Sequence, residues 1–255
     1  MNFFFALNLN NFNNLITIPK FTNEGMKLKG ISLFSAKIIK DKWLIRKQHY
    51  KEDKNFIYLD VLPQNLDDIF FLNHCSFCDI KQEILVKELK LFYDIKSNYT
   101  FRANLNIMNA EHGSSSYQSE YPFEMTNKKG SILSTVSSVI NEENSNIIAF
   151  KQIYYLPIKK PFKIFLVDLK RKEILSKATF YTNSTNIINI SKIKNLKNCC
   201  FYSDGFLGIP IFISYGNKNG VSMEHSHPPH LYLQSKNKFE LVSNLKNKVK
   251  SIVTK

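Results

Sequence analysis

Glycine is scarce in this chain, with 8 in 255 residues. That disfavours nucleotide folds built on glycine-rich phosphate loops, and no GxGxxG or Walker A element is present. HExxH, the GxSxG nucleophile elbow, EF-hand loops and the kinase set are also missing. Arginine supplies only three of the 35 basic residues (Arg46, Arg102 and Arg171). Planar, bidentate reading of phosphates and bases favours arginine, so its scarcity disfavours nucleic acid as a partner. No apolar run approaches the ~20 residues that span a bilayer, so no membrane span is expected. Phe3-Phe4-Phe5-Ala6-Leu7 has no basic segment before it and passes at once into Asn-rich sequence, a poor signal peptide. The expected location is cytoplasmic.

Cysteine is limited to Cys75, Cys78, Cys199 and Cys200. His74-Cys75-Ser76-Phe77-Cys78 has the CxxC spacing of a zinc knuckle, but no second CxxC completes it. Adjacent cysteines on a strand point to opposite faces, so Cys199 and Cys200 are expected as buried free thiols.

What is abundant is aromatic and basic. The chain holds 21 Phe and 12 Tyr, and 44% of its residues are hydrophobic. That composition fits a packed sheet interior. Lysine (32) and asparagine (28) are both frequent, as is isoleucine. All three have A/T-rich codons, which accounts for part of the +14 net charge. The charge is uneven: residues 51–124 carry −5, whereas 125–255 carry +13. A basic C-terminal half is a candidate anion-attracting surface.

The hydrophobic pattern predicts a mainly β protein. Strands are expected over 31–48 (interrupted near Asp41), 56–62, 99–107, 147–156 and 186–190, with hairpins over 161–181 and 206–227. Helical spacing at Ile132, Val136, Val139 and Ile140 predicts a weak helix there. Short strands at 231–234 and 239–242 lead to a helix over about 244–253, capped by Ser243, with Leu245, Val249, Ile252 and Val253 on one face. The expected fold is a two-sheet β-sandwich or jelly-roll-like domain with a short C-terminal helix. It covers residues 30–255, after an Asn-rich N-terminal arm over 1–29.

Function-bearing chemistry concentrates in two places. Glu224-His225-Ser226-His227-Pro228-Pro229-His230 places three of the six histidines beside a carboxylate. Alternation from Val221 and Met223 puts His225 and His227 on one strand face, about 6.5–7 Å apart at Cα, within reach of one ion. The His-x-His element is similar to that of the cupins over His225 and His227 alone. Leu231 stands where that family has a Glu, and no histidine follows His230, so the resemblance implies nothing further.

The second place is the polar stretch 109–131, expected as a long functional loop. It is expected to fold over the 224–230 corner. A metal set of His225, His227, His112, Glu111 and Glu124 then suits Zn, Fe or Mn and a metal-dependent reaction of unknown type. Glu224, His230, Tyr232, Tyr117 and Tyr121 complete a small-ligand site. The same aromatics, with Phe123, give the alternative of a non-catalytic carbohydrate-binding rim. His112 or His225 beside Ser114, Ser115 or Ser116 offers a weaker base–nucleophile arrangement. A lysine-rich anion-binding or structural interaction protein is the third alternative.

Overall fold

The computed structural model describes the whole chain except residues 1, 23, 28, 75–82, 90–100, 137–138, 195, 217–219, 226–230 and 232. The chain forms two compact units. Unit 1 comprises Met1–Asn127 with Ile153–Lys159, and unit 2 comprises Lys128–Gln152 with Lys160–Lys255.

Unit 1 contains β1 (Asn2–Phe5), β2 (Asn13–Pro19), β3 (Ile31–Ile39), β4 (Lys42–Lys47), β5 (Lys51–Glu52) and β6 (Phe56–Val61). It continues with β7 (Ile69–His74), β8 (Glu83–Val86), β9 (Asn104–Asn109), β10 (Gly113–Gln118) and β11 (Glu120–Pro122). They form a six-stranded sheet, β11-β1-β7-β3-β4-β8, and a five-stranded sheet, β10-β9-β2-β6-β5. Unit 2 contains β12 (Lys129–Thr135), β13 (Ser145–Gln152), β14 (Pro161–Asp168), β15 (Glu173–Tyr181) and β16 (Ser184–Asn189). It ends with β17 (Cys199–Phe206), β18 (Ile209–Gly216), β19 (Gly220–His225) and the helix α1 (Lys238–Val253). Its strands form two four-stranded sheets, β12-β17-β14-β15 and β16-β13-β18-β19. Every pairing is antiparallel.

This corrects the expected two-sheet β-sandwich or jelly-roll-like fold: the mainly β chain builds, among the described residues, four antiparallel sheets, two in each unit. The misreading has physical causes. β10, with sequence Gly-Ser-Ser-Ser-Tyr-Gln, is an edge strand with no fully buried residue. A strand with so little to bury shows no apolar alternation and reads as loop. β1 fails in the opposite way, because Phe3, Phe4 and Phe5 are all buried in a strand flanked by β11 and β7. Burial on both faces erases the alternation too, so residues 1–29, expected as an arm, supply β1 and β2. The weak helix expected at 132–140 is strand β12 as far as Thr135.

Other expectations are met by particular contacts. The break near Asp41 is the β3–β4 turn, where Lys40 adopts φ 56°. The hairpin over 161–181 is β14–β15, and that over 206–227 is β18–β19 through the paired Gly216 and Gly220. The helix begins earlier than expected, at Lys238, with Asn237 rather than Ser243 at its N-cap position. The Phe239-Glu240-Leu241-Val242 alternation therefore belongs to a helix, in which Val242 joins Val249 and Ile252 in the buried stripe.

In unit 2 the sheet β12-β17-β14-β15 carries core residues on both faces. The Phe150 ring of β13 meets Phe162, Phe180 and Phe201 of this sheet at centroid distances of 5.8, 6.0 and 5.3 Å. On the opposite face of the same sheet, Leu133, Phe165, Val167, Cys200 and Tyr202 form one core cluster with Val249 and Ile252 of α1. Lys246 fastens the helix further by donating to the Ser131 carbonyl at 2.8 Å. In unit 1, Phe71 lies 5.8 Å edge-on from Phe3 and 5.7 Å stacked from Phe34. Trp43 Nε1 donates to the Tyr155 carbonyl at 3.0 Å, tying the returning segment 153–159 to β4.

Candidate functional site

The N-terminal part of the expected site is a hairpin tip rather than a long loop. β9 and β10 pair from Asn109 opposite Gly113 to Asn104 opposite Gln118. The Asn109 carboxamide oxygen accepts the N–H groups of Glu111 (2.7 Å) and His112 (3.2 Å), an Asx-type turn that closes the tip. Its amide donates to the Asn11 carbonyl at 2.6 Å, anchoring the tip to the start of β2. His112 Nε2 lies 4.0 Å from Glu111 Oε2. The imidazole is largely buried and the carboxylate exposed, with side-chain exposures of 12% and 80%.

The remaining unit 1 candidates disperse. Tyr117 sits half-buried on β10 opposite Leu105. Tyr121 is on β11, in the other sheet, where it opposes Phe3 and is fully buried. A fully buried ring cannot serve as a glycan rim, so Tyr121 is a core residue. Glu124 is exposed in the first turn of the short 3₁₀ helix Phe123–Met125. Glu120, a further carboxylate of the same stretch, is half-buried and accepts the Ala103 N–H at 3.1 Å. Burial pushes its carboxyl above the usual range, against that hydrogen bond and the Arg102 charge, which lower it.

In unit 2 the alternation along β19 is as the sequence implies. Val221 and Met223 are buried, and His225 follows them on the same face, half-buried and opposite Ile211. Ile211 in turn opposes Ala149 of β13. His225 thus lies on the face away from Phe150, while Glu224, opposite Phe212, lies on the other. His227, His230 and Tyr232 lie outside the described residues, as do Cys75 and Cys78. His112, Glu111 and Glu124 belong to unit 1 and His225 to unit 2. Among the described residues, no three His, Cys, Asp or Glu side chains gather closely enough to hold a metal.

Cys199 and Cys200 are buried and form no disulfide with each other. Burial, reinforced by Asp168, raises the first thiol to about 11. Burial, reinforced by Cys199, raises the second to about 12. Both are neutral at pH 7 and poor nucleophiles or zinc ligands in that state.

The charge imbalance noted in the sequence falls largely on one unit. Unit 2 holds nineteen basic residues against seven acidic ones, a net +12, whereas unit 1 holds sixteen against fourteen, a net +2. Exposed members include Lys163, Lys170, Lys172, Lys177, Lys248 and Lys250. Lys177 also lies 5.6 Å from the Phe165 ring centroid, its stem lying along the sheet. Two members are withdrawn from that surface: Lys151 is fully buried on β13, and Lys246 is half-buried against β12, where burial lowers its ammonium below the usual lysine range. The signal for this surface was the positive balance after residue 125, which passes almost unchanged into unit 2, since the return of 153–159 to unit 1 removes only Lys159.

The chain matches no family model, and no curated protein or solved structure matches it significantly.

Proposed function

We propose that unit 2 is a binding module for anionic surfaces. The observation that carries this reading is its net +12, with exposed lysines on β14 and β15, in the turn between them and on the polar side of α1. Eighteen of the nineteen basic residues are lysines. Lysine ammoniums are hydrated point charges on flexible stems, suited to diffuse attraction rather than to a fixed bidentate geometry. The one arginine, Arg171, is engaged by Asp168 at 3.8 Å and Glu173 at 3.3 Å. Such binding draws its free energy from displaced counterions, so it falls steeply with salt.

Heparin chromatography tests it. The intact chain is expected to be retained at low ionic strength and to elute over a narrow salt range. A site that neutralises 6–10 charges loses about 10³–10⁵ in affinity between roughly 50 and 200 mM salt. Charge reversal at Lys248 and Lys250 moves elution to lower salt. Failure to bind at low salt, or retention indifferent to salt, removes the proposal.

A second reading keeps a divalent metal (Zn, Fe or Mn) at His225 and His227, favoured by the register of His225 with Val221 and Met223. His230 is the neighbouring candidate, whereas Glu224 lies on the opposite face of β19. Zinc prefers four ligands at about 2.0–2.3 Å. Elemental analysis of the untagged protein is expected to find stoichiometric metal that His225→Ala and His227→Ala both abolish. Metal-free protein that takes up no added Zn, Fe(II) or Mn leaves these histidines as strand-end polar residues.

A further inference from the structure

We propose that unit 2 docks peripherally on an anionic phospholipid bilayer, through the N-terminal end of α1 and the segment leading into it. This deepens the anionic-surface reading and rests on it. The observation is a concentration of uncovered apolar side chains. Leu231, Leu233, Phe239 and Leu241 are 59, 37, 65 and 49% exposed, all within eleven residues. Scattered exposed apolar residues are ordinary, but a cluster of large ones marks an interaction surface.

Helix geometry explains why they are uncovered. At about 100° per residue, Leu241 lies roughly 100° to one side of Val242, and Phe239 roughly 60° to the other. They flank the stripe that Val242, Val249 and Ile252 bury, at the end of α1 opposite to Val249 and Ile252, which join the sheet cluster. The long solvent face of the helix, with Ser243, Asn244, Asn247 and Ser251, is polar and exposed. The apolar element is therefore the end of the helix, not its length.

The charge around it selects the partner. Residues 231–255 carry six lysines and one glutamate. Lys238 Nζ lies 5.4 Å from the Phe239 ring centroid, so cation and aromatic face present themselves together. A nucleic acid satisfies the lysines but has no use for exposed leucines. An interface rich in anionic headgroups takes both, receiving aromatic and aliphatic tips below the headgroups and holding lysines among them. No described helix is long and apolar enough to cross a membrane, and the 16-residue α1 is tied to its sheet, so the contact is peripheral.

The test is co-sedimentation of the intact chain with vesicles of equimolar phosphatidylserine and phosphatidylcholine, against vesicles of phosphatidylcholine alone. Sedimentation is expected with the mixed vesicles only. A Phe239→Ser/Leu241→Ser variant is expected to lose at least about tenfold in vesicle affinity, with heparin retention and far-UV circular dichroism unchanged. Leu231→Ser/Leu233→Ser provides a second variant outside the helix. Heparin binding without vesicle binding overturns the lipid proposal and leaves the anionic-surface reading in place; loss of both overturns both. Vesicle binding that neither variant weakens, or lipid-free self-association that both variants abolish, also overturns it, the latter in favour of a second copy of this chain.

Discussion

Phe150→Ala is expected to destabilise unit 2 by about 3–5 kcal/mol, the range for removing a large ring from a packed core. Phe150 is fully buried and is the one ring of β13 that meets three rings of the facing sheet: Phe162, Phe180 and Phe201. Its loss removes the transfer free energy of the ring and leaves a cavity between two sheets that are each held in register by backbone ladders. β13 pairs with β16 on one side and β18 on the other, so it cannot move in to fill that space without breaking hydrogen bonds. The aromatic pairings add about 0.5–1.5 kcal/mol each beyond area alone. Urea unfolding should show a lower midpoint, and hydrogen exchange should speed up in peptides covering β13, β14 and β17. A change below about 1 kcal/mol would mean that the facing rings collapse into the gap.

The strands that the sequence revealed are those with one buried face and one wet face, or those bounded by a turn. β9 alternates Leu105 and Ile107 against asparagines, and β19 alternates Val221 and Met223 against polar neighbours. Strands covered on both faces, such as β1, and edge strands with little to cover, such as β10, carry no period-two signal. The sheet count depended on those strands. The division into units was hidden for another reason. The chain crosses between units at 127–128, 152–153 and 159–160, and the middle crossing carries no linker signal: Gln152 is fully buried and ends a paired strand.

The candidate site was legible only where it was local. The register of His225 followed from three residues of alternation, whereas the Glu111–His112 tip, closed by one turn, was hidden in a stretch that reads as a long polar loop. Tyr121 was misjudged because a tyrosine in a polar stretch gives no hint that Phe3, 118 residues earlier, lies opposite it. The basic surface was visible as a charge imbalance, but which lysines share a unit depends on topology that composition does not contain.

Gly208→Ala is expected to be the most damaging single-methyl change in unit 2, at about 1–3 kcal/mol or more. Gly208 lies in the tight connection between β17 and β18, and its φ is not in the left-handed region, so backbone freedom is not the issue. Space is. A Cβ there falls 2.5 Å from Cε1 and Cζ of Phe150 and 2.7 Å from the Lys151 carbonyl oxygen. Neither neighbour yields easily: the ring is locked among three others, and the carbonyl belongs to a strand paired on both sides. The two substitutions should therefore interact. In a Phe150→Ala background the ring contact disappears and only the clash with the Lys151 carbonyl remains, so Gly208→Ala should cost less there than in the parent. Residues in contact couple by about 0.5–3 kcal/mol, whereas independent ones add to within about 0.3–0.5 kcal/mol. A double-mutant cycle from urea midpoints at constant m-value measures the difference. Strict additivity would show that the ring is not the obstacle and that the strand carbonyl alone sets the requirement for glycine.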